Sequence, residues 1–103
     1  MSLIEANKSN FEENIKSGLV LVDFNADWCG PCQIFAPVLE ELSKEIPEKI
    51  LSVNIDDSPE IAEKYSVSSI PCLVIFRDGE EIDRSVGALP KKKVQKLLEK
   101  HKR

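Results

Sequence analysis

The chain is poor in the features that mark most specialised proteins. Its 103 residues include one histidine, one tryptophan, one tyrosine, four glycines and three cysteines. Three cysteines are too few, and odd in number, for a secreted disulfide scaffold. No stretch approaches the roughly 20 apolar residues of a membrane span, so no membrane role is expected. The opening segment MSLIEANKSNFEEN has no basic start and no apolar run, and does not read as a secretory signal. There is no G-x-G-x-x-G fingerprint for a flavin or nicotinamide, and there are no repeats, low-complexity tracts or linkers. What is present is ordinary for a soluble globular protein: 42% apolar and 31% charged residues. The length suits one domain over 1–103, able to bury roughly two-thirds of its unfolded surface without disulfide help. A reducing, cytoplasmic setting is expected, where a C-x-x-C is more often catalytic or metal-binding than structural.

The net charge of −4 is unevenly spread. Residues 91–103 carry seven Lys/Arg against Glu99, or +6, which leaves −10 on the first ninety. The run KKKVQKLLEKHKR reads as a final helix whose cations face water and suit its negative dipole end. No aromatic residue is interleaved for base stacking, and an acidic body argues further against nucleic acid as a partner.

Pattern and punctuation divide the chain into elements. SNFEENIKSG has Ser9 with Glu12 three residues later, a capping box, and Gly18 as a stop, which predicts a short helix. LVLVDFNA (19–26) is a near-continuous apolar run, as for a strand covered on both faces. A helix is expected from Pro31 to Glu45, with Ile34, Phe35, Val38, Leu39 and Leu42 on one stripe and Pro37 inside. KILSVNID (49–56) reads as a strand, and Ser58-Pro59 as the start of a helix reaching Tyr65. CLVIFRDGEEIDRSV reads as two strands joined around Asp78-Gly79. Pro90 opens the last helix, with Val94, Leu97 and Leu98 toward the core. Alternating elements followed by a hairpin imply a mixed sheet with helices on both faces.

Chemistry concentrates in WCGPC, residues 28–32. Here Cys29 is placed at the N-cap of the long helix, Pro31 at its first position and Cys32 at its third. Side chains three apart on a helix lie about 5–6 Å apart at Cβ, within reach of a disulfide. Closing so short a loop contributes only about 2 kcal/mol, so the pair suits switching better than stapling. Free backbone N–H groups and the positive dipole end favour a thiolate at Cys29, and the thiolate is the species that attacks disulfides. Cys32, a turn further in, is expected to be the more buried and less ionised. A zinc site would need Cys72 and His101 in addition, and His101 lies in the Lys-rich last turn, so no metal is expected.

With these residues in view, the chain resembles the thioredoxin family over nearly its whole length. The match rests on LVLVDFNADWCGPC, on Asp23 six residues before Cys29, on Ile70-Pro71 with the proline 42 residues after Cys29, and on SVGAL. The resemblance implies an α/β, thioredoxin-like three-layer fold, a mixed five-stranded sheet flanked by four helices. It also implies a protein disulfide reductase, in which Cys29 is the nucleophile and Cys32 resolves the mixed disulfide. Asp23 would be the buried acid/base for Cys32, and Pro71 a cis-proline facing the pair. Trp28, Gly30, Pro31, Ile70, Val86, Gly87 and Ala88 would form the surface that holds a client strand. No cofactor is implied beyond a redox-active Cys29–Cys32 disulfide. The implied partners are disulfide-containing clients and a separate thioredoxin reductase, with the chain itself a monomer. An oxidase or isomerase of the same fold, or a non-catalytic binding module, are the alternatives.

Three positions depart from the family pattern. Asn25 stands where a second tryptophan is frequent, Ser52 where a lysine often lies near the buried acid, and Cys72 where threonine is common. Cys72 reads either as a small apolar core residue or as a third thiol near the pair.

Overall fold

The computed structural model describes residues 3–102. Strands β1 (Ile4–Glu5), β2 (Leu19–Asn25), β3 (Lys49–Asn54), β4 (Cys72–Arg77) and β5 (Glu80–Val86) form one sheet in the order β1-β3-β2-β4-β5. The first three run parallel; β4 is antiparallel to β2, and β5 to β4. Helices α1 (Phe11–Ile15), α2 (Gly30–Ser43), α3 (Pro59–Lys64) and α4 (Lys91–His101) complete the chain. The five strands and four helices match the expected architecture.

Period-two alternation sorts the central strands onto two cores. Val20, Val22 and Phe24 pack with Phe11, Ile15, Ile61, Val74 and Phe76, on the side of α1 and α3. Leu21 packs with Phe35, Leu39, Leu42, Ile50, Leu73, Val94 and Leu98, on the side of α2 and α4. Both faces of β2 are therefore covered, which is why its sequence is a run rather than an alternation. The β4–β5 connection is the Asp78-Gly79 turn, with φ of +51° and +88° at its two residues, the left-handed pair that a tight hairpin requires.

Three local expectations are corrected. The capping box does not form: α1 starts after Asn10, and Ser9 instead gives both its N–H and its hydroxyl to Asn7 Oδ1. Asn7 thus offers Ser9 a closer local acceptor than a Ser9–Glu12 exchange, and is itself held by its N–H bond to Asn10 Oδ1. In α2 the first helical residue is Gly30, with Pro31 second, and the helix ends at Ser43. Ile34 does not join the buried stripe; it is 71% exposed, while Phe35, Leu39 and Leu42 are fully buried. Ile34 precedes Phe35 by about 100° of helix rotation, and the stripe is too narrow for both. In addition, no local signal predicts β1, a two-residue edge strand too short to show any hydrophobic period.

Candidate active site

Strand β2 delivers the chain from the centre of the sheet into the start of α2, and the two cysteines sit at that junction. Cys29 occupies the N-cap in extended conformation, which leaves the first amides of the helix without intrahelical partners. One of them is used locally: the N–H of Cys32 points at Cys29 Sγ, 3.2 Å away. Cys29 and Cys32 are joined as a disulfide with their Cα atoms 5.2 Å apart. The expected difference in burial is small, 6% against 4% exposed. The asymmetry lies in surroundings instead. Cys29 Sγ is 3.9 Å from the carbonyl oxygen of Ile70, whereas Cys32 lines a recess that also contains Asp23.

Ile70 packs against the pair and brings Pro71, and through it Gly87, toward the site. The Ile70–Pro71 peptide bond is cis, and Pro71 is buried at the head of β4. Its carbonyl accepts a 2.8 Å bond from the N–H of Gly87, whose φ of +102° suits a residue without a Cβ. Trp28 is 69% exposed and tethered by its indole N–H to Asp56 Oδ2 at 2.8 Å. Gly30, Pro31, Val86 and Ala88 are exposed, and Ile70 and Gly87 half-buried. Trp28 and Val86 are both large apolar side chains left exposed to solvent.

Asp23 lies beneath the pair in β2, 2% exposed. Burial is the dominant influence on its carboxyl and pushes the pKa up to about 6, partly opposed by a hydrogen bond from Asn25. A carboxyl poised there exchanges protons near neutrality. Asn25 and Ser52, which as sequence are only departures from a pattern, come together here: the Asn25 amide donates both to this carboxyl and to Ser52 Oγ. Nothing local predicts that meeting, because it depends on the register that sets Asp23 opposite Ser52.

The third thiol is elsewhere. Cys72 is buried in the core cluster on the α1/α3 side, with Phe24, Val74 and Phe76, and burial raises its pKa. The pair packs instead with Ala26, Ile55 and Ile70. His101 bonds through Nε2 to Asp83 Oδ2 at 2.8 Å, and among the described residues the four members of the hypothetical zinc set do not come together. Among the described residues, no helix is long and apolar enough to cross a membrane.

The chain matches known proteins throughout. The thioredoxin family model covers residues 2–100. A thioredoxin of Chlamydia trachomatis is 56% identical over 95 residues, 91% of this chain and 93% of the relative. One from Staphylococcus haemolyticus is 48% identical over 103 residues, 98% of this chain and 99% of the relative. Among solved structures, a mutant thioredoxin from Halobacterium salinarum superposes with a TM-score of 0.93 at 30% identity, over 99% of this chain and 92% of that one. A C-x-x-C pair within disulfide reach at a helix start, on this sheet and with these relatives, has one meaning: the chain belongs to the thioredoxin family and is a thiol–disulfide oxidoreductase.

Proposed function

We propose that the chain reduces disulfides in client proteins, acting as a monomer in the cytoplasm and reloaded by a separate thioredoxin reductase. The observation that carries this reading is the Cys32 N–H directed at Cys29 Sγ across 3.2 Å at the start of α2. In the reduced protein that amide and the helix dipole stabilise a Cys29 thiolate. The thiolate attacks one sulfur of a client disulfide; a mixed disulfide forms, the client S–S bond breaks, and the other client sulfur leaves as a thiolate. Cys32 gives its proton to Asp23 and attacks Cys29 Sγ. The Cys29–Cys32 bond forms, the mixed disulfide breaks, and the second client sulfur departs. Two electrons have passed to the client, and two from the reductase restore the dithiol.

Trp28, Gly30, Pro31, Ile70, Val86, Gly87 and Ala88 supply the docking surface, in which exposed apolar area brings the client strand over the pair. Pro71, buried between Ile70 and β4, orients that rim, and its carbonyl is already satisfied by Gly87. The test is insulin reduction by the pre-reduced protein. Cys29→Ser abolishes turnover, and Cys32→Ser accumulates a mixed disulfide that a gel resolves without reductant. Retained turnover in Cys29→Ser overturns the assignment of the nucleophile.

A further inference from the structure

Asn25 follows Asp23 by two residues, so both side chains leave β2 on the same face. Its side-chain nitrogen has three acceptors: Asp23 Oδ2 at 3.1 Å, the backbone carbonyl of Asp23 at 3.1 Å and Ser52 Oγ at 2.9 Å. A backbone carbonyl only accepts, which fixes the nitrogen of the amide, and not its oxygen, at this end. The other carboxyl oxygen, Asp23 Oδ1, is buried and has no hydrogen-bond partner within the protein. The two oxygens of one carboxyl are thus held in opposite circumstances.

We propose that Asn25 is a positioning residue for the resolving step, holding Asp23 Oδ2 as an acceptor so that the proton received from Cys32 resides on Oδ1. The argument is one of hydrogen inventory. Protonation at Oδ2 turns that oxygen into a hydroxyl, a poorer acceptor than a carbonyl oxygen, and so weakens the bond from Asn25. Protonation at Oδ1 breaks nothing and converts an orphaned acceptor into a donor. Ser52, opposite Asp23 on β3, accepts from the same amide and keeps it turned toward the carboxyl.

The surroundings leave this work to a neutral group. Asp23, Asn25 and Ser52 share with Cys32 a recess of about 290 Å³. The other titratable groups facing it are Glu5 from β1 and Asp27 from the segment after β2. On β4 the register partner of Asp23 is the uncharged Leu73. Among the described residues no lysine, arginine or histidine lines the recess. With no cation at hand, the amide of Asn25 is the group that favours the ionised carboxylate, and losing it makes Asp23 hold its proton to higher pH.

The inference rests on Asp23 being the proton acceptor for Cys32, and the experiment separates the two. Asn25→Ala and the strand-compatible Asn25→Val are compared with the unaltered chain and with Asp23→Asn. The readouts are carbon-13 NMR titration of the Asp23 carboxyl and the pH profile of mixed-disulfide resolution. In both Asn25 variants the Asp23 midpoint is expected to rise by about one pH unit, the scale of one hydrogen bond to a charged group. The acid limb of the rate profile moves with it, a roughly tenfold loss on the acid side that fades above pH 8. In an Asp23→Asn background, Asn25→Ala leaves the profile unmoved. If Asp23→Asn removes the acid limb while both Asn25 variants titrate like the unaltered chain, the positioning role is overturned. If the limb survives Asp23→Asn, the proton-acceptor reading falls first and takes this one with it.

Discussion

Replacing Asp23 with asparagine is expected to stabilise the oxidised protein, and to do so only where the native carboxyl is charged. In the unfolded chain this group titrates near its ordinary value of 3.8, and in the folded protein burial pushes it up to about 6. The folded state therefore binds the proton more tightly, and stability falls as pH rises from about 4 to about 6. Below that window Asp23 is neutral in the fold and costs little. Above it, the full difference of about two pKa units applies, worth about 3 kcal/mol. Because the carboxyl is 2% exposed, solvent does not screen this cost. Asparagine has nearly the same volume, and its carbonyl can still accept from Asn25. Urea unfolding of the oxidised chain and of Asp23→Asn at pH 4 and pH 8 measures the effect. The variant gains about 3 kcal/mol at pH 8, a rise in Tm on the order of 10 °C, and less than about 1 kcal/mol at pH 4. An equal gain at both pH values would refute the electrostatic argument, because a packing change does not titrate.

Three further outcomes follow from other parts of the structure. Ile34→Gln, on the exposed face of α2, is expected to change stability by less than about 0.5 kcal/mol, whereas Leu39→Ala on the buried face costs about 2–5 kcal/mol; denaturant midpoints distinguish them. In the reduced native protein, iodoacetamide labels Cys29 and leaves Cys72 unmodified until denaturant is added, and mass spectrometry of the oxidised chain finds only the Cys29–Cys32 linkage. Labelling of native Cys72 at a rate comparable to Cys29 would contradict its burial. Asp83 is held below its ordinary pKa chiefly by the bond from His101, so its contribution is present above about pH 4 and lost as pH falls through its lowered folded value. Asp83→Asn is expected to cost no more than about 1 kcal/mol at neutral pH and to speed amide exchange in the last turn of α4.

Much of this molecule was legible in its sequence because the signals were local. An aspartate set among Leu, Val and Phe in β2 announces a buried acid, and Cys29 before Gly30-Pro31 announces a helix start. Asp78-Gly79 between two apolar runs specifies its own turn. Sequence and structure part where competing local partners have similar strength, as where Asn7 takes the Ser9 groups that a Ser9–Glu12 box would use. Periodicity puts Ile34 on the stripe but does not say how wide the buried part of that stripe is. The Asn25–Asp23–Ser52 contact was out of reach for a different reason. Two of its members are adjacent in space only through the β2–β3 register, which no short window contains.

The margins of the sheet have their own consequence. One flank ends in the two residues of β1, and the other in β5, where Glu80, Glu81, Asp83 and Arg84 crowd a strand offset from its neighbour by a bulge at Ile75/Phe76. Short length, charge and a bulge each discourage a foreign chain from adding itself alongside. A thiol–disulfide oxidoreductase built this way offers other chains its thiols while its sheet margins give their backbones little to pair with.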